Sequence, residues 1–196
     1  MADFIRIFSP SDASWPPFPS GYENWSYSGV GQFRESLMRG RIWEEQYPPI
    51  FSEDVNLRKF MTYINMLWNT KTIFTIQHKH IGEPVGTISG SPTVNGASQT
   101  GSSIICTAIT GTLKQGDVIK IAGLNIVFDV AADVGNGATS IPISPMIPVG
   151  NSPAHGAAIT YTGIKFRAVL HENLVLPRCN IDRYYVGLTL KFRECP

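Results

Sequence analysis

Charge, cysteine and long apolar runs are all scarce in this chain, and each scarcity removes a class of function. Charged side chains make up 16% of the 196 residues, and 16 basic against 15 acidic ones leave a net charge of +1. That balance supplies no basic field to hold nucleic acid by counterion release. No stretch approaches the roughly 20 apolar residues that a helix needs to span a bilayer. The opening residues, Met1-Ala2-Asp3-Phe4-Ile5-Arg6, lack a basic segment followed by an apolar run, so no secretory leader is expected. The three cysteines, Cys106, Cys179 and Cys195, are odd in number and show no CxxC spacing. They read as free thiols of a chain made in a reducing cytoplasm; a Cys179–Cys195 bridge between neighbouring strands is the alternative, incidental to function.

Glycine (18) and proline (14), by contrast, are plentiful, and the hydrophobic fraction of 43% is that of a globular chain. The combination predicts many short strands joined by tight turns. The distribution is uneven. Residues 85–163 carry five charged side chains, Lys114, Asp117, Lys120, Asp129 and Asp133, and consist largely of Gly, Ala, Ser, Thr, Val and Ile. On either side, residues 1–84 and 164–196 are rich in aromatic and charged residues. The simplest account is one domain, 1–84 plus 164–196, interrupted by an inserted domain over 85–163 whose ends lie close together.

The last strand supports this division. Tyr184, Val186, Leu188, Leu190 and Phe192 alternate with Tyr185, Thr189, Lys191 and Arg193, the pattern of a half-buried antiparallel strand. Its ladder bonds and apolar face both need partners. The N-terminal region offers them in Phe4–Phe8, Tyr22–Val30, Gln32–Leu37 and Ile42–Tyr47, which read as strands divided by Gly21, Gly31 and Gly40. One helix is expected over about 53–68: Ser52 reads as its N-cap, Glu53 and Asp54 suit its first turn, and Leu57, Phe60, Met61, Ile64, Leu67 and Trp68 form one apolar stripe. Within the insert, Val118–Ile121, Leu124–Val130, Thr139–Ile143 and Ala157–Tyr161 read as short strands of a small closed or partly open barrel. The predicted fold is therefore mainly β: an antiparallel β-sandwich with one packed α-helix, interrupted by an inserted β-barrel-like domain.

No catalytic constellation accompanies this architecture. His78 and His80 lie two apart on an expected strand and so share a face, but no third ligand stands at metal-binding spacing, and surface histidines are the plainer reading. Glu44 and Glu45 are adjacent, hence on opposite faces of a strand and poorly placed as an acid/base pair. Gly135-Asn136-Gly137 reads as a hairpin turn that opens onto no helix, unlike a phosphate-cradling loop. No catalytic, cofactor or metal site is assigned. Trp15 and Phe18, bracketed by prolines on a loop, either fold back on their own domain, the plainer reading, or are candidate anchors for a neighbouring subunit or partner, since rings bury large area at little rotamer entropy.

Two stretches carry a family likeness. The first is Arg39-Gly-Arg-Ile-Trp-Glu44 with Tyr47-Pro-Pro-Ile50, the helix ending near Trp68, and Thr72-Ile-Phe-Thr-Ile76. The second is Gly90-Ser-Pro-Thr-Val-Asn-Gly-Ala-Ser-Gln-Thr-Gly101 leading to Leu113-Lys-Gln-Gly-Asp-Val-Ile-Lys-Ile121. In this order they resemble the distal tail proteins of bacteriophages with long flexible tails; the segment Ser9–Pro19 departs from the pattern. The resemblance implies a structural virion protein at the tail tip, assembled in the host cytoplasm, forming a hexameric ring that joins the tail tube to the hub or baseplate. Its implied partners are further copies of itself, the tail tube protein, the hub or baseplate protein and the tape measure protein, with genomic DNA only in transit. It implies no cofactor, no enzymatic activity and no membrane insertion. A ring needs two complementary faces on each copy, and the first strand, with Phe4 and Ile5, joins Trp15 and Phe18 as the candidate interface. The competing reading is a carbohydrate- or receptor-binding tail protein acting through the insert, where Phe128 and Tyr161 are the aromatic residues within 85–163.

Overall fold

The computed structural model describes residues 3–4, 10, 12–13, 22–25, 31–34, 40–51, 53–78, 80–81, 83–172 and 180–195. The chain divides into two compact units, Met1–His80 with Arg167–Cys195, and Ile81–Phe166. Both are built mainly from antiparallel strands, and one helix stands among the described residues.

In the first unit, β1 (Asp12–Ala13), β2 (Tyr22–Trp25), β3 (Gly31–Arg34), β4 (Ile42–Gln46) and β5 (Ile50–Phe51) precede helix α1 (Val55–Thr70), which is followed by β6 (Phe74–Gln77). The second unit contains β7 (Gly101–Ile105), β8 (Val118–Ile121), β9 (Val127–Val130), β10 (Ser140–Ile147) and β11 (Ile159–Thr160). The chain then returns through β12 (Lys165–Leu170), β13 (Tyr184–Tyr185) and β14 (Thr189–Glu194). The main sheet of the first unit runs β1-β4-β14-β12-β6, while β2 with β3 and β5 with β13 form two-stranded ladders.

The C-terminal strand closes the N-terminal sheet, as its alternation demands. β14 lies antiparallel to β4, with Leu190 opposite Glu45 and Phe192 opposite Trp43, and antiparallel to β12 on its other side. Leu188, Leu190 and Phe192 are buried. The pattern fails upstream, where Tyr184 and Val186 are exposed. Arg183 and Gly187 both take positive φ, so the ribbon breaks there and Tyr184–Tyr185 pairs with Ile50–Phe51 instead.

Helix α1 starts later than the sequence suggests. Asp54, in extended conformation, is the N-cap and accepts a hydrogen bond from the Asn56 N–H at 2.8 Å. The expected cap, Ser52, lies outside the described residues. Leu57, Phe60, Ile64 and Leu67 are the buried stripe, while Met61 and Trp68 are half-buried at its margin. Lys71 ends the helix in the left-handed region, with its ammonium over the Trp68 ring.

The second unit is a curled sheet in the order β11-β8-β9-β10-β7. Residues 92–95 join its two edges. On one side Val94 N–H donates to Ala157 O, Gly156 N–H to Val94 O and Ile159 N–H to Pro92 O, at 2.8–3.0 Å. On the other Asn95 N–H donates to Ile105 O and Thr107 N–H to Thr93 O, at 2.9 and 2.8 Å. Thr93 thus bridges Ala158 while Val94 bridges Cys106, and the edges that an open sheet would expose are satisfied. Val94, Ile104, Cys106, Ile119, Ile121, Phe128, Ile141 and Ile143 are among its buried side chains.

Candidate functional site

Phe4, at the start of the first expected strand, faces the interior of its unit. The Phe4 ring is 7% exposed and packs 5.1 Å from Phe74, 5.4 Å from Phe192 and 5.6 Å from Tyr63. Its side chain is packed into the interior of its unit, next to the bridge that pairs Asp3 with Thr75. Ile5, Trp15 and Phe18 lie outside the described residues.

The face of β4 that carries Trp43 and Glu45 is the inner face, continued by Arg41 before the strand and Tyr47 after it; all four side chains are buried. Trp43 stacks on Phe192 at 5.5 Å. The polar members are held by near neighbours: Tyr47 O–H donates to Glu45 Oε2 at 3.3 Å, and the Arg41 backbone N–H donates to Glu194 Oε2 at 3.3 Å. Glu44 points the other way and is half-buried, so the adjacent glutamates occupy opposite faces as the period of two requires.

His78 overturns the expectation of a surface histidine pair. β6 ends at Gln77, and His78 is buried with its ring edge-on to Trp43 at 5.9 Å, whereas His80 is exposed. The His80 backbone N–H donates to His78 Nδ1 at 3.1 Å. Among the described residues no group of three His, Cys, Asp or Glu side chains is placed to hold a metal ion.

In the second unit both segments of the second stretch that carried the family likeness, Gly90–Gly101 and Leu113–Ile121, form turns. Asp117 is buried, and its carboxylate accepts three backbone N–H groups: Val85 on Oδ1 at 2.6 Å, and Gly86 and Lys114 on Oδ2 at 3.1 and 2.7 Å. The sequence Lys114-Gln-Gly-Asp117 needs its aspartate for this, and Gly116 for a φ of +90° at the turn. Lys114 adds an exposed ion pair with Asp133 at 2.7 Å, and the Gln115 N–H donates to the same carboxylate. In the other segment the Gln99 amide does the stapling. Its Nε2 donates to Asn95 O, Gly96 O and Ile105 O at 2.9, 3.1 and 3.0 Å, and its Oε1 accepts from the Ile105 N–H. His155 Nδ1 accepts from the Gly96 N–H at 2.9 Å. Single-sequence reading missed these roles because a buried carboxylate or amide facing backbone donors leaves no periodic signal.

The two rings of the insert are both engaged. Phe128 is 1% exposed, and half-buried Tyr161 donates its hydroxyl to Gly90 O at 2.7 Å. Stacking on a sugar needs an open aromatic face, and Phe128 offers none.

Both described cysteines are free thiols. Burial pushes the Cys106 thiol above its ordinary range. Burial also raises that of Cys195, with the Arg193 and Arg167 guanidinium groups opposing it in part. An activated nucleophile needs the opposite shift. Among the described residues no helix is long and apolar enough to cross a membrane.

No protein-family model matches the chain, and a search of curated proteins finds no match.

Proposed function

We propose that this chain is a structural tail protein of a long-tailed bacteriophage, of the distal-tail type. Copies assemble into a ring of six at the tail tip, which continues the tail tube above and seats the hub or baseplate below, with no catalysis by the chain itself. The observation that carries this reading is the interrupted architecture. β4 and β14, from opposite ends of the chain, are neighbours in one sheet with a packed helix, and a separate curled β unit fills the interval. That is the layout expected of the family whose motifs the sequence resembles. The roles of Asp117 and Gln99 support it further: in both segments of the second stretch these side chains hold turns, a structural use and not a catalytic one. The net charge of +1 suits a channel through which DNA must pass without being held.

Light scattering on the purified protein, with negative-stain images of the same fraction, tests the proposal. A hexameric ring with a central hole is the expected outcome. A compact trimer overturns it in favour of a fibre or receptor-binding role. So does a chain that stays monomeric at high concentration and also fails to cap tail tubes supplied as template.

A further inference from the structure

We draw no further inference here: the strongest candidate, the exposed apolar turn of the first unit where Ile181, Tyr184 and Val186 stand out beside the Arg183–Glu53 ion pair, carries nothing because nothing in the structure shows what covers it.

Discussion

Asp117 holds more of the second unit's geometry than any periodic pattern suggests. Its two carboxylate oxygens terminate three backbone N–H groups from two separate segments, near Val85 and at Lys114. Replacing one oxygen by an amide NH2, in Asp117→Asn, puts a donor where a donor already points and removes the charge that strengthens the other bonds. The cost expected is about 2–3 kcal/mol, read as a lower midpoint of urea denaturation by circular dichroism. The exposed Lys114–Asp133 pair behaves differently. The hydrogen bond from Lys114, helped by the Gln115 N–H, holds the Asp133 carboxyl below its usual range. A depressed folded value means stability that is present above the unfolded value, about 4 for a carboxylate, and lost as pH falls through the folded one. The same bond raises Lys114, whose contribution is present below its ordinary range and lost as pH rises through the raised value. Melting temperatures followed from pH 7 to pH 3, roughly the span of carboxylate titration, should therefore fall slightly less steeply for Asp133→Asn than for the parent. Equal slopes would mean that solvent screens the pair completely.

Strands and the helix show where sequence periodicity suffices and where it stops. The alternation from Leu188 to Phe192 pointed to a strand with one apolar face, and that segment pairs with β4 and β12 as an inner strand of its sheet. The stripe Leu57, Phe60, Ile64 and Leu67 marked the buried face of α1. Boundaries were less legible, since Asp54 caps the helix where the sequence suggested Ser52, two residues of similar capping chemistry two positions apart being hard to rank without the backbone. β7 was not legible at all, because Gly101-Ser-Ser-Ile-Ile105 opens on three residues with weak strand preference and is held by pairing with β10. The closing segment at Pro92–Asn95 is equally silent in sequence: its hydrogen bonds go to residues distant along the chain on both sides. Burial of His78 follows from its packing on Trp43, a contact no local pattern encodes. The junction between β4 and β14 yields a prediction of its own. A Cβ on Gly40 would stand 1.9 Å from the Glu194 carbonyl oxygen and 2.5 Å from its carbon, both backbone atoms that a side-chain rotation cannot clear. Gly40→Ala should cost about 3 kcal/mol, whereas Gly135→Ala, which meets nothing within 4 Å, should stay within about 0.5 kcal/mol of the parent. Similar losses at the two sites would show that the approach of Gly40 to Glu194 is looser in solution.

At the scale of the whole molecule, the division into two units has a consequence that two spectroscopic probes can separate. Each unit has its own buried side chains, Trp43, Phe60, Phe74 and Phe192 in the first and Ile104, Ile119, Phe128 and Ile141 in the second. All four tryptophans, Trp15, Trp25, Trp43 and Trp68, fall within the first unit's stretch of sequence and none within residues 81–166. Tryptophan fluorescence therefore follows unfolding of the first unit alone, while far-ultraviolet circular dichroism follows both. Units with cores of their own are expected to unfold as separate cooperative steps. Phe128→Ala removes a fully buried ring from the second core and should cost that unit about 3–5 kcal/mol. In urea the dichroism curve of this variant should gain an early component, while its fluorescence midpoint stays at the parent's value. A fluorescence midpoint that moved down in step would mean that the insert and its host share one folding transition, so that the insert acts as a structural brace of the host unit rather than as a module carried on it.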